Sequence, residues 1–318
     1  MSYDPCLEIA RFRWDVPDKG YVWIENASQI IDLNQYDKGG LKTHEPDMCL
    51  MINPEGEMRR RYDPRLVEPP LWSQFADLDT DPASINKFAN KYGWLGVGKW
   101  VITAGSERKK HMPIGERLTQ WKDEIKTFKR VAQVWEWVQN EDAGKLGQVI
   151  VWHDNAVAFE LKGDDGSILE FRLIAGEMEH PELFRTWERG KTTAPAKLYL
   201  LKVVNEHLAG VQPRLLLNKK GCLQEYIYPA NLLSSVWYEF SQVLSGQRKI
   251  RRCEICHRIM DVTESRSNKT QHTTCGNRER QDRMKARNLH KQGMSLESIA
   301  QEVSKPPEWV KELLEGKG

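Results

Sequence analysis

Four residues near the end of this 318-residue chain have the types and spacing of a metal centre: Cys253 and Cys256, then His272 and Cys275. They form the pattern C-x2-C-x15-H-x2-C. Each two-residue spacing lets both ligands of a pair turn toward one ion. The longer gap supplies enough chain to bring the second pair round and complete a tetrahedron. Three thiolates and one imidazole suit Zn²⁺, whereas Mg²⁺ and Ca²⁺ require oxygen. All four places are taken by protein, so the expectation is one structural Zn²⁺ ion with no position open to water or substrate. His257, next to Cys256, is a rival ligand on sequence alone, although ligation by consecutive residues strains a tetrahedral site. Cys6, Cys49 and Cys222 lie far apart and near nothing ligand-like. They read as reduced thiols of an intracellular compartment.

The charge around this motif differs from that of the rest of the chain. From Arg248 to Lys291 there are thirteen Lys and Arg residues against five acids, a surplus of eight, while the whole chain carries only +2. Positive charge gathered on one small module is the footprint of a nucleic-acid-binding element, against the plainer alternative of a solvated basic face. Directly after the last ligand, residues 276–287 contain long straight side chains, no Pro and no further Gly, which predicts a helix. Arg280, Arg283 and Arg287 recur at three- and four-residue steps and share one face, with Arg278 and Lys285 flanking them. Such a face neutralises phosphates and carries little sequence information. Arg251 and Arg252 add to it from the knuckle side.

The run Cys275-Gly276-Asn277-Arg278 behind a C-x-x-C knuckle resembles the signature of the bacterial CGNR zinc-finger proteins. The resemblance is strongest from about residue 231 to 288. There Leu232-Leu233-Ser-Ser-Val-Trp237-Tyr-Glu-Phe240 leads through Ser245-Gly246-Gln-Arg-Lys into Arg251-Arg252-Cys253. It is weaker over residues 70 to 230, where it rests on Leu71-Trp72-Ser-Gln-Phe75, Phe88-Ala-Asn-Lys-Tyr92-Gly93 and Gly115-Glu116-Arg-Leu118-Thr-Gln-Trp121. It implies a transcription regulator with a C-terminal zinc finger behind an ABATE-type N-terminal domain. Two departures stand out. Family members usually have a fourth cysteine where this chain has His272, and a glycine where it has His257. The knuckle turn there favours a residue that tolerates positive φ.

Beyond Gly293, Ser295 is positioned to cap a helix over Leu296–Val303, and Lys305-Pro306-Pro307 turns the chain into a second short helix over 308–314. The pair is similar to helix-turn-helix units. The second helix, however, carries Glu308, Glu312 and Glu315 against Lys311 alone, a poor charge for groove entry. Packing or dimerisation is its better role.

Upstream, Leu118, Trp121, Ile125, Phe128, Val131, Trp135 and Val138 form one apolar stripe, which predicts a core helix from about 114 to 140. Asp81-Pro82 opens a short helix that ends at Gly93. Alternating runs between 146 and 174, with Asp164-Asp165-Gly166 as their turn, predict a hairpin, and a second hairpin turns around 218–221. Helices fill 195–208 and 229–245. Most of the twelve tryptophans sit in such stripes and read as core rather than as base-stacking platforms. At 40% hydrophobic the chain can bury a sizeable core. No apolar run approaches the ~20 residues that span a bilayer, and the start of the chain lacks a signal-peptide pattern, so the expected setting is cytoplasmic with no membrane partner.

The expected fold is α+β: a mixed helix and antiparallel-strand body over 1–246, with a sub-boundary near 65–70. A zinc finger with its basic helix follows over 247–291, then a helix-turn-helix-like tail over 292–318. No catalytic residues are assigned. The chain has no phosphate loop, no dinucleotide fingerprint, no nucleophile elbow and no H-E-x-x-H, and His44, His111, His153, His180 and His207 are not arranged with acids at metal-binding spacing. The expected function is a regulator that binds DNA through the zinc-stapled basic helix. An RNA- or protein-interaction module, such as a subunit of a ribonucleoprotein or defence complex, is the alternative, and a zinc-knuckle nuclease a third reading. The sequence leaves a homodimer or a larger complex open.

Overall fold

Among the described residues before 65, where glycine, proline and aspartate recur, the strands are short. The computed structural model describes residues 14–24, 30–32, 48–53, 58–64, 67–97, 100–102, 115–217, 221–263 and 269–315. These fall into two compact units divided between Gly246 and Gln247.

The first unit opens with β1 (Trp14–Pro17), β2 (Tyr21–Ile24), β3 (Ile30–Asp32), β4 (Cys49–Ile52) and β5 (Met58–Tyr62). Helices α1 (Leu71–Ala76) and α2 (Pro82–Tyr92) follow, then β6 (Trp100–Ile102) and β7 (Gly115–Arg117). All pairings are antiparallel: β1 with β5, β3 with β6, and β4 between β2 and β7. The Asp81 carboxylate caps α2 by accepting the N–H groups of Ala83 and Ser84, both at 3.0 Å, and Gly93 ends the helix at φ 96°.

The long amphipathic stripe forms α3 (Leu118–Gln139), which buries Leu118, Trp121, Ile125, Phe128, Val131, Val134 and Val138. The helix starts with the stripe at Leu118 rather than near 114, because Gly115–Arg117 pairs with β4 as a strand. Around α3 lie α4 (Ala143–Val149), a three-stranded sheet of β8 (Ile150–Trp152), β9 (Ala156–Lys162) and β10 (Ile168–Gly176), and α5 (Pro181–Thr186). Next come α6 (Thr193–His207), the hairpin β11 (Val211–Leu217) and β12 (Leu223–Pro229), and α7 (Leu232–Leu244). The first expected hairpin is β9–β10. Its turn is held by the Ser167 N–H and hydroxyl, which donate to the Asp165 carboxylate at 3.0 and 2.6 Å, with Gly166 at φ 78°.

Aromatic rings from α1, α2, α3 and α7 meet in the centre. Phe128 touches Phe75, Trp237 and Phe240 with centroids 5.4, 4.7 and 5.3 Å away, and Trp72, Trp121 and Trp237 are fully buried. Each such ring contributes roughly 2–3 kcal/mol by leaving water. Glu116 on β7 is equally buried. Its carboxylate accepts the backbone N–H groups of Leu95 and Val97, at 2.9 and 3.0 Å, and of Gly96. The same loop accepts from the Asn231 side chain at the start of α7, so one buried acid fixes the joint between β7, the loop and α7.

The second unit contains the hairpin β13 (Ile250–Arg252) and β14 (Ile259–Asp261), then α8 (Thr273–Lys291), α9 (Leu296–Val303) and α10 (Pro307–Leu314). Gly293 stops α8 at φ 82°, and the Ser295 hydroxyl caps α9 by accepting the Ser298 N–H at 3.3 Å. The two tail helices share one core with the second half of α8: Ala286, Ile299, Ala300, Val303, Val310 and Leu313 are buried together.

Candidate metal centre

The knuckle is made by the way β13 ends. Cys253 follows its last residue, donates its N–H to the Arg258 carbonyl at 2.9 Å, and accepts the His257 N–H on its own carbonyl at 2.9 Å. His257 sits at φ 56°, where the sequence pattern required tolerance of a left-handed backbone. This tight turn folds the two thiols of Cys253 and Cys256 to one side. The Glu254 N–H donates to the Thr270 carbonyl at 3.0 Å, which brings the second ligand pair up to the first. His272 is the N-cap of α8 and Cys275 lies in its first turn, so the two-residue spacing puts both side chains on the face toward the knuckle.

Cys253, Cys256, His272 and Cys275 offer ligand atoms that all lie within 4.8 Å of one another. Cys253 and His272 are buried, and the other two are half-buried. The imidazole is oriented. Its Nε2–H donates to the Ile259 carbonyl at 3.2 Å, leaving the Nδ1 lone pair 3.3 Å from Cys256 Sγ and 3.8 Å from Cys275 Sγ. Tetrahedral zinc with Zn–S near 2.3 Å and Zn–N near 2.0–2.1 Å needs ligand atoms roughly 3.5–3.8 Å apart. The two distances lie close to that range. His257 has no part in the cluster, which decides the rivalry in favour of His272.

The thiols are placed where a cation would help them ionise. Burial pushes the Cys253 thiol up, but the N–H groups of Cys256, His272 and Ile255 hold its thiolate and bring it down to about 6. Burial and the neighbouring sulfurs of Cys256 and Cys253 push the Cys275 thiol up to about 11. One sulfur ionises only at the expense of another, and a divalent metal removes that conflict. The residues therefore fit a metal, and a soft or borderline one, because every donor is sulfur or imidazole nitrogen. Among the described residues this is the only group of three or more His, Cys, Asp or Glu placed to share an ion.

The candidate nucleic-acid residues divide by their surroundings. Arg251 and Arg252 are exposed on β13, donating to the Lys269 and His257 carbonyls at 3.4 Å. Arg278, Arg280 and Arg287 are exposed on α8. Arg283 is half-buried and donates to Glu279 at 3.2 Å, while Lys285 reaches across to the Glu302 carbonyl and carboxylate of α9 at 2.8 and 3.0 Å. Two of the five helix cations are thus engaged by acids of their own unit.

Glu279 is the residue that sequence reasoning counted only as an offset to the positive charge. It is nearly buried and accepts from Arg283, from Lys305 Nζ at 2.8 Å and from Trp309 Nε1 at 3.1 Å, while Lys305 also lies 3.8 Å from Asp282. Burial pushes its carboxyl up, but Lys305 and Arg283 outweigh this and hold it below the ordinary glutamate value. Its four-residue spacing to Arg283 was the one available signal. Two histidines meet acids in the fold that are not their sequence neighbours. His153 lies 2.7 Å from buried Glu160, and His207 lies 3.6 Å from Glu124 while stacking on Trp237.

Comparison of the chain with protein-family models, curated proteins and solved structures finds no match. The likeness to CGNR zinc fingers accordingly rests on the motif residues themselves. Among the described residues, no helix is long and apolar enough to cross a membrane.

Proposed function

We propose that the second unit is a zinc-stapled nucleic-acid-binding module, and that the protein is a DNA-binding regulator of the kind its CGNR-like signature implies. Cys253, Cys256, His272 and Cys275 hold the ion. With four protein ligands the ion is structural: it fixes the hairpin against α8 and takes no part in chemistry. One observation carries the nucleic-acid reading. Helix α8 turns its acids Glu279 and Asp282 toward the tail, where Lys305 neutralises both, and leaves Arg278, Arg280 and Arg287 outward. The surplus of eight positive charges between Arg248 and Lys291 is therefore carried largely at the surface of the hairpin and α8. Arg251 and Arg252 continue it on the hairpin. The exposed Glu308, Lys311 and Glu312 of α10, with Glu315 just beyond it, oppose groove entry by the tail, so α8 makes the contacts.

Fluorescence anisotropy of the zinc-loaded chain against random and genomic duplex DNA across a salt series tests this. A log K falling with log salt is expected, and Arg278, Arg280, Arg287→Ala together should make the slope shallower by up to about 0.9 for each phosphate no longer neutralised. Absence of binding even at low salt would overturn the reading. Duplex RNA of equal length separates the two nucleic acids through helix shape and the 2′-hydroxyl.

A second reading, a protein-interaction role for the first unit, is favoured by the β11–β12 hairpin. Leu215 and Leu223 there are 68% and 72% exposed, and Leu217 borders them on the same face. Replacing Leu215 and Leu223 with serine should leave DNA binding intact. A change in sedimentation or in partner capture would locate an interface on that hairpin.

A further inference from the structure

Helix α8 belongs to two structures at once. Its start carries two ligands of the metal centre, and its second half supplies Ala286 to the core of the tail, with Leu289 packed beside it. Its beginning is poorly held by anything else. The N-cap His272 points its side chain at the sulfurs and makes no capping hydrogen bond, and the first turn has no acidic residue to meet the helix dipole. Gly276, in the same turn, is a weak helix former. The tail is not self-sufficient either. Its core has six buried residues, one of them Ala286 of α8, with Leu289, Met294, Leu296, Trp309 and Leu314 only partly buried against them, which is a small core for a segment that must also stay docked.

Glu279 joins the two structures. It stands one helical turn beyond Cys275 and receives Lys305 and Trp309 from the segment that begins α10. If the start of α8 unwinds, Glu279 is the first of the tail's partners to be displaced.

We infer that metal binding governs docking of the tail. An ion on Cys253, Cys256, His272 and Cys275 fixes the first turn of α8 and so holds Glu279 where Lys305 and Trp309 close on it, whereas metal loss releases α10. The inference rests on the metal site proposed above but concerns residues that take no part in ligation. Linkage makes it reciprocal: whatever factor the metal contributes to docking, docking contributes to metal affinity.

Trp309 is the only tryptophan after residue 246 and reports on this joint alone. The full-length chain labelled with 5-fluorotryptophan is followed by fluorine NMR, first with Zn²⁺ and then after a strong chelator. The Trp309 signal is identified by its absence from Trp309→Phe. On chelation that signal should move to the position of solvent-exposed tryptophan while the others stay. In the second arm, Lys305→Ala, in the tail and remote from the ligands, should weaken Zn²⁺ binding several-fold in competition with a chromophoric chelator. Gln281→Ala, exposed on α8 and outside both the Glu279 cluster and the arginine face, should leave that affinity unchanged. A Trp309 signal that stays in place after elemental analysis shows the zinc gone, or an unaltered affinity in Lys305→Ala, would overturn the coupling while leaving the metal centre standing. A chain that takes up no zinc at all overturns the metal centre itself.

Discussion

The two units hold themselves together by different means. The first has an aromatic interior in which Trp72, Phe75, Phe128, Trp237 and Phe240 support one another from three helices. The second has small and branched side chains beneath its tail and a cluster of three thiols and an imidazole in place of a larger core. Burial of rings responds to solvent and temperature. A ligand cluster responds to metal concentration and to protons, because thiols must ionise to bind. One chain therefore has two stabilities that different reagents address.

The sharpest break is expected from Cys275→Ser. Structural zinc is worth about 10–16 kcal/mol of apparent binding energy in small fingers. Loss of one ligand should unfold the second unit and leave the first, seen as loss of bound zinc and of part of the helical circular dichroism while a separate cooperative melt persists. A variant that still holds one zinc and melts like the parent would remove Cys275 from the site. In the other direction, Phe128→Ala should cost the first unit about 3–5 kcal/mol, since it leaves a cavity against three rings. Zinc affinity measured by chelator competition should not change.

Acidity sharpens the contrast. Burial pushes the Glu116 carboxyl up to about 7 in spite of three backbone donors, against 4.5 for an unperturbed glutamate. The folded state then binds the proton more tightly than the unfolded chain does. The first unit should accordingly lose stability as pH rises from about 4.5 to about 7 and level off above, a fall on the order of 3 kcal/mol. Urea midpoints of the first unit measured across that range should show it, and Glu116→Gln should flatten the profile. The second unit should move the opposite way, because acid protonates the thiolates and expels the metal. The smallest effect belongs to Lys285→Ala. Its partner Glu302 is exposed, so stability should change by less than about 1 kcal/mol. DNA affinity should fall less than for Arg280→Ala, and an equal fall would place Lys285 in the interface.

What the sequence revealed was whatever repeats at short range. The two Cys/His pairs, the stripe from Leu118 to Val138, and the caps at Asp81 and Ser295 are each set by residues a few positions apart, and each forms in the structure. What escaped depends on distant chain. Gly115–Arg117 reads as the start of a helix until β4 supplies a strand partner. Glu279 reads as a stray acid until Lys305 and Trp309 arrive from the tail, and His153 reads as isolated until Glu160 folds beside it. The charge of a helix can be counted from its letters, but which cations remain outward is decided by the packing of α9 and α10. Lys285 differs from Arg280 and Arg287 because α9 brings Glu302 to it, and Arg283 because Glu279 stands one turn before it on α8.

The imidazole of His272 stands where the CGNR-type motifs it resembles carry a fourth thiolate, and that exchange would set the formal charge of a zinc-loaded centre. Zn²⁺ with three thiolates and a neutral histidine carries −1, whereas four thiolates would carry −2. The centre lies against the first turn of the helix that presents the exposed arginines. On the proposed DNA-binding reading, a strand approaching α8 would meet a loaded centre with half the formal negative charge of an all-cysteine knuckle, so His272 would favour polyanions without itself touching one.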